Sequence, residues 1–223
     1  MNELLSTAAP PRAWPTEPLP AAVTAPADEE PTPPPPDEQQ LTSLAMAGDL
    51  AAFNQLVARV QDGAYNVAYR MVHDEAAAAD VVQESLIKAW RALPTYRGGR
   101  FKSWFLRILL NTCYDLLRSY KRQATVSLDD LTAAGELTFD VADRGERPDA
   151  YVERLELQQW LVRGIAALPP DQRVVVVLYD VEGYSYNEIV EITGDPMGTV
   201  KSRLNRGRIR LRDFLVRHGV VCG

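Results

Sequence analysis

The sequence predicts an all-α protein of two small helical domains, a helical bundle and a helix-turn-helix unit, joined by a flexible acidic linker. Three observations predict this. Apolar residues recur every three or four positions through each well-patterned stretch. Of the 16 prolines, 11 fall within residues 1–36. The formal charge of −6 is segregated, with −6 on residues 1–40, +4 on 41–122, −5 on 123–152 and +1 on 153–223. The overall pI near 5.1 argues against a nucleic-acid partner. The two positive blocks argue for one.

Residues 1–40 are rich in Pro, Ala and acid and end in PTPPPPDEQQ. They bury too little apolar surface to order themselves and read as a disordered tail, with a polyproline ligand as the rarer alternative. The first domain, 41–122, opens with two helices, 41–47 and 49–73, with Asp49 as N-cap and Gly63 as a possible bend. Asp74 caps a helix over 75–92 whose core stripe is Val82, Leu86, Ala89, Trp90 and Leu93, and Pro94 stops it. Its other face carries Asp80, Gln83, Glu84, Lys88 and Arg91. Spacing alone leaves that face either solvated or a docking surface.

The chain is organised around Thr95 to Arg122, TYRGGRFKSWFLRILLNTCYDLLRSYKR, most of it one helix. Phe101, Trp104, Phe105, Ile108, Leu109, Thr112, Leu116 and Tyr120 form its apolar stripe; Lys102, Arg107, Asn111, Arg118, Lys121 and Arg122 lie opposite. Tyr96, Arg97, Gly98, Gly99 and Arg100 make a basic loop with an exposed-looking aromatic. Such a loop suits single-stranded nucleic acid: an aromatic to stack, arginines for phosphates, glycines for close approach. The plain alternative is a core helix with a solvated basic face.

Residues 123–150 lose periodicity and read as the linker; a structureless stretch of that length argues for two domains. The second domain, 151–217, opens with a helix to about 167, broken by Pro169-Pro170. Val174 to Val177 have strand propensity but helical flanks, and the expectation is helix. Ser185 and Glu188 form a capping box for a helix over 186–193, Gly194 ends it, and Asp195 is the expected cap of a helix from Pro196 to about Val216. Short helix, Gly turn and long helix make a helix-turn-helix. Val200, Leu204, Ile209, Leu211 and Leu215 supply the inner face of the last helix. Thr199, Lys201, Ser202, Arg203 and Arg206 occupy its first turns, which in such a motif enter the major groove.

Several chemistries are unsupported. No nucleophile–base pairing, phosphate-binding glycine loop or metal-ligand constellation is evident, so no catalytic residue, metal or cofactor is expected. His73 and His218 are isolated and read as surface or packing residues. Cys113 reads as a core residue, and Cys113 with Cys222 makes no metal spacing or disulfide framework. No apolar run approaches the ~18 residues of a membrane span, and no signal peptide is evident, so a cytoplasmic protein without stable membrane insertion is expected.

Three stretches together resemble an extracytoplasmic-function (ECF) type RNA polymerase sigma factor, the sigma-70 group with only regions 2 and 4. DVVQESLIKAWRAL looks like the helix that binds the clamp helices of polymerase β′. YRGGRFKSWFLRILLNTCYDLLRS looks like the part that melts and reads the −10 element. LPPDQRVVVVLYDVEGYSYNEIVEITGDPMGTVKSRLNRGRIRLRDFL looks like region 4, which reads the −35 element. The resemblance implies Asp80, Gln83, Glu84, Lys88 and Arg91 as core-polymerase contacts. For −10 DNA it implies Tyr96 and Asn111 lining a flipped-base pocket, Trp104 bracing the loop, and Arg97, Arg100, Lys102, Arg107 and Arg118 on phosphates. For −35 DNA it implies Ser185, Thr199, Lys201, Ser202, Arg203, Arg206 and Arg210. The implied partners are core RNA polymerase (β′ clamp helices and β flap), promoter DNA as duplex and melted strand, and an anti-sigma factor. The acidic residues 129–149 would lie in the polymerase RNA exit path. The chain departs from the family at its Pro-rich tail and at Asn205 and Gly207, where His and Ala are commoner; Gly207 is expected to weaken its helix by about 1 kcal/mol against Ala. The rival reading is a stand-alone helix-turn-helix transcriptional regulator, which needs neither the single-strand pocket nor the docking face.

Overall fold

A computed structural model describes residues 36–126 and 148–221, and every element within them is helical. The expectations for residues 1–35, for acidic residues 127–147 and for Cys222 lie outside the described residues. The first unit comprises α1 (Pro36–Met46), α2 (Leu50–Ala58), α3 (Gln61–Val72), α4 (Glu75–Ala92) and α5 (Phe101–Val126), with a 3-10 turn at Leu93–Thr95. The second comprises α6 (Pro148–Ala166), α7 (Pro170–Val176), a π-helical turn at Val177–Val181, α8 (Tyr186–Thr193) and α9 (Met197–Arg217).

The tail and first helices depart from expectation. Helix begins at Pro36, so the last residues of the acidic stretch belong to the first unit. Asp37 pairs with Arg59 at 2.6 Å, and the Glu38 carboxylate accepts the Phe101 amide at 2.9 Å. Asp49 is the N-cap expected, accepting from the amides of Ala51 and Ala52. The second expected helix is two: the chain breaks at Arg59–Val60, where Val60 turns into the core, and Gly63 lies in the first turn of α3, which runs unbroken from Gln61 to Val72.

Asp74 caps α4 by accepting the Ala77 amide at 2.7 Å. Of the stripe expected on α4, Ala89 and Leu93 are buried; Ala77, Ala78, Val81 and Ser85 complete the buried spine, and Val82, Leu86 and Trp90 flank it, partly buried. Small side chains on that spine let α3 approach closely. On α5, Phe101, Phe105, Leu109 and Cys113 are buried as expected, but so are Leu106 and Leu110. α5 packs against its own bundle and also against α8 of the second unit, so more of it is covered than an amphipathic surface helix requires. Burial pushes the Cys113 thiol up to about 12, which makes it an inert core residue. Tyr120 is exposed.

Val174 to Val177 are at most 1% exposed and helical; burial in the second core overrides their strand propensity. The capping box of α8 forms as read, with Ser185 Oγ accepting the Glu188 amide and Glu188 Oε2 accepting the Ser185 amide. Asp195 does not cap α9. Pro196 holds that position without a side-chain bond, and the Asp195 carboxylate turns to Arg203 instead. Ile209, expected inside, is 42% exposed. Gly207 is buried against α7: a β-carbon there would sit 2.7 Å from Val176 Cγ2. The missing side chain leaves room for Val176 of α7, so packing opposes the gain in helix propensity expected from Ala.

Arg173 joins the units. It is buried, donating to the carbonyls of Ala166 and Leu168 at the end of α6 and, across the interface, to that of Met71 on α3. His73, the left-handed C-cap of α3, lies beside it with both ring nitrogens buried and unpartnered; burial first, then Arg173, hold its pKa down to about 4. His218 lies at the surface, its ring tilted against those of Trp160 and Phe214.

Candidate nucleic-acid and polymerase interfaces

Three surfaces carry the residues singled out in the sequence. On α4, Asp80, Gln83, Glu84 and Arg91 are exposed, with Ile87 among them at 47%. Lys88 is half-buried between Glu84, at 2.8 Å, and the Thr112 hydroxyl of α5. The strip is mixed in charge, has an apolar centre, and lies opposite the spine that packs the helix down.

The second surface is the loop 96–100 with the first turns of α5. Tyr96 is not exposed. It is 8% accessible, edge-on to Trp104 at 5.2 Å, and its hydroxyl donates to the Gly99 carbonyl at 2.6 Å. Burial first, then the Glu38 charge, push its pKa up to about 12. Tyr96 is thus the internal brace of the loop, and Trp104 its second wall. Gly98 and Gly99 stand at φ +93° and +94°, where a β-carbon is strained, which is why the loop is Gly-Gly. Arg97 is exposed, and Arg118 pairs with Asp115.

The other cations of this surface meet the second unit. Arg100 pairs with Glu188 at 2.8 Å, Lys102 lies 4.6 Å over the Tyr184 ring, and the Arg107 guanidinium lies against Gly194. Asn111 lines a cavity of about 240 Å³ shared by Arg107, Tyr114, Asp171, Asp195 and Arg203. An amide from the first DNA-type surface and an arginine from the other therefore face one space.

The third surface is the start of α9. Lys201, Ser202, Arg206 and Arg210 are exposed and Thr199 is half-buried. Arg206 is steadied by Ser202, and Lys201 lies 5.1 Å over the Tyr186 ring. Arg203 is held by Asp195, with Asp171 at 3.6 Å. Ser185 is buried in the capping box, its hydroxyl already partnered. Among the described residues, no cluster of three or more His, Cys, Asp or Glu could hold a metal.

Sequence reasoning missed Glu38, Arg173 and the pairing of Glu188 with Arg100. Glu38 was hidden by the acidic composition around it. The other two join residues 102 and 88 positions apart, for which a single sequence has no signal.

These features are shared with known proteins. The profile of Sigma-70 region 2 matches residues 56–123, and that of Sigma-70 region 4 matches residues 158–211. The chain belongs to the sigma-70 family. It is 36% identical over 176 residues to the RNA polymerase sigma-H factor of Pseudomonas aeruginosa, covering 77% of this chain and 90% of that one. It is 35% identical over 173 residues to the ECF RNA polymerase sigma-E factor of Escherichia coli, with the same coverage. The ECF RNA polymerase sigma factor SigE of Mycolicibacterium smegmatis is 35% identical over 175 residues, 77% of this chain and 65% of that protein. Within the family, the chain is an ECF-type sigma factor. Its fold is similar to that of CnrH in complex with the cytosolic domain of CnrY, with TM-score 0.58 and 28% identity over 81% of this chain and 98% of that one. It is equally similar, at TM-score 0.58 and 28% identity over 73% and 96%, to the sigma factor RpoE of Bartonella quintana in complex with the anti-sigma factor NepR.

Proposed function

We propose that the protein is an alternative sigma factor that binds core RNA polymerase, recognises −35 and −10 promoter elements and helps melt promoter DNA to initiate transcription. It works by binding, without catalysis or cofactor, and in the cytoplasm with polymerase; no described helix is long and apolar enough to cross a membrane. The observation that carries this reading over a stand-alone regulator is the exposed strip Asp80, Gln83, Glu84, Ile87 and Arg91 on α4, beside but separate from the basic surfaces. A free-standing regulator has no use for it. Polymerase β′ clamp helices would dock there. The start of α9 would enter the −35 major groove, with Arg203 on a base edge and Lys201, Arg206 and Arg210 on phosphates. The loop 96–100 and α5 would hold the melted −10 strand, with Arg97, Arg100, Lys102, Arg107 and Arg118 on phosphates and Asn111 toward a flipped base. An anti-sigma factor is the natural regulator of such a chain.

In the arrangement described, Arg100, Lys102, Arg107, Asn111 and Arg203 are turned toward the other unit, so promoter binding requires the units to part. Residues 127–147, which connect them, are long enough to reach about 70 Å if extended, the distance between elements some 20 base pairs apart. The test is co-elution with bacterial core polymerase on size exclusion, alongside Glu84→Arg. Wild-type co-elution lost in the variant supports the reading. A wild type that stays free yet shifts duplex DNA refutes it.

A further inference from the structure

The loop that would capture the melted strand ends at Phe101, the first residue of α5. The first amides of a helix have no partner within it, and a side-chain oxygen just upstream usually supplies one. Here the four preceding residues are Arg97, Gly98, Gly99 and Arg100, which carry no side-chain acceptor. The acceptor comes from far away in sequence: Glu38 Oε1 receives the Phe101 amide at 2.9 Å. A carboxylate there also meets the positive end of the helix dipole, and the bond is charge-assisted.

α1 is anchored well enough to hold that carboxylate in place. Ala45 and Thr42 are buried in the first core, and Asp37 pairs with Arg59 of the α2–α3 corner. The loop itself is set by two hydrogen bonds. Tyr96 to the Gly99 carbonyl folds it, and Glu38 to Phe101 fixes where it enters the helix. Between α1 and the loop runs a groove of about 250 Å³, walled by Gln39, Thr42, Ser43 and Met46 on one side and Tyr96, Gly98 and Gly99 on the other. Any shift of the loop relative to α1 changes that groove.

We propose that Glu38 is a positioning residue for the −10-reading loop, holding the loop through the first turn of α5 without touching DNA itself. The inference rests on the sigma reading. Its experiment uses the full chain assembled with core polymerase. The probe is a fork DNA from a promoter selected with the wild-type holoenzyme, carrying 2-aminopurine at the flipped −10 position. Glu38→Ala should weaken capture of the fork, and its fluorescence rise, by about 3- to 30-fold, the range for losing a helix cap. Affinity for core polymerase and for duplex −35 DNA should stay at wild-type level. Glu38→Gln, which keeps an oxygen acceptor, should recover most of the loss. Deletion of residues 1–35 should match the wild type, and deletion of 1–38 should match Glu38→Ala. Fork capture unchanged in Glu38→Ala overturns the proposal. So does an equal loss of polymerase and −35 affinity, which would make Glu38 a general stability residue. If the wild type itself forms no holoenzyme, the sigma reading has failed and the proposal falls with it.

Discussion

The contact between the units makes a quantitative claim at Glu188. Its two carboxylate oxygens have separate tasks: Oε2 closes the α8 capping box on Ser185, and Oε1 pairs with Arg100 at 2.8 Å. Glu188→Gln keeps the box, because Gln serves at that position as well as Glu, and removes the charge that faces Arg100. At an effective dielectric near 20 two charges 4 Å apart attract by about 4 kcal/mol. The side chains here are 35% and 24% exposed, so solvent screening reduces the pair to about 1 kcal/mol. That is about a fivefold shift toward separated units. If the packed arrangement competes with DNA, the free chain should bind duplex −35 DNA up to about fivefold more tightly in the variant. Fluorescence anisotropy at 0.15 M salt measures it. Removing any acid from α8 also favours DNA, so Glu191→Gln, the same charge change on the same helix, is the control. Equal gains in both variants, or none in Glu188→Gln with α8 still folded, would refute the idea that Arg100 is withheld from DNA by this pair.

Three other substitutions test the packing. Gly207→Ala should lower the melting temperature by calorimetry, with a cost of about 1–2 kcal/mol, because the methyl meets Val176 at 2.7 Å and outweighs the gain in helix propensity; a rise would mean that α7 yields freely. Arg173→Met should destabilise by about 3–5 kcal/mol in urea unfolding, since it strands three carbonyls that Arg173 now satisfies, one of them on the other unit. The packed arrangement should also weaken in acid. His73 faces Arg173 from α7, and its pKa falls to about 4 when covered, so the packed state binds fewer protons than one with an exposed imidazole. The stabilisation is complete above about pH 6.5 and lost as pH falls toward 4, by about 2 kcal/mol at pH 5. Burial raises the Glu182 carboxyl despite Arg70 and Lys102, which favours packing at low pH but only near the carboxylate range. Inter-unit energy transfer against pH should therefore fall between 6.5 and 5, and His73→Gln should flatten it.

The helices were legible where local chemistry decides them. Asp49, Asp74 and the Ser185–Glu188 box cap the helices that the sequence assigns to them, because a cap involves residues two or three apart. The break at Val60 was not legible, since periodicity continues across it and only the core into which Val60 turns decides the matter. Val174 to Val177 resisted in the opposite way: their propensity points to strand, and complete burial in a helical core settles them. Asp195 carried a capping residue's chemistry but found a stronger partner in Arg203.

The site was legible in its residue types and not in their orientation, and one physical fact explains both. A surface that binds phosphates must present guanidinium and ammonium groups, and a stretch such as TYRGGRFK announces them. The same groups attract any carboxylate that the fold brings near. Glu188 of the second unit pairs with Arg100 of the first, and Asp195 pairs with Arg203 within the second unit, so cations proposed for DNA are already engaged by carboxylates of the chain itself. Tyr96 follows the same logic with an apolar group. Its ring is of a type suited to stacking on a base, but the fold sets it edge-on against Trp104 and ties its hydroxyl to the Gly99 carbonyl. Residue types therefore show what chemistry a surface can offer, while the fold decides which of those groups the chain already engages itself. On the proposed function, parting Arg100 from Glu188 is one contribution to the free energy that promoter binding must supply, and Glu188→Gln measures it.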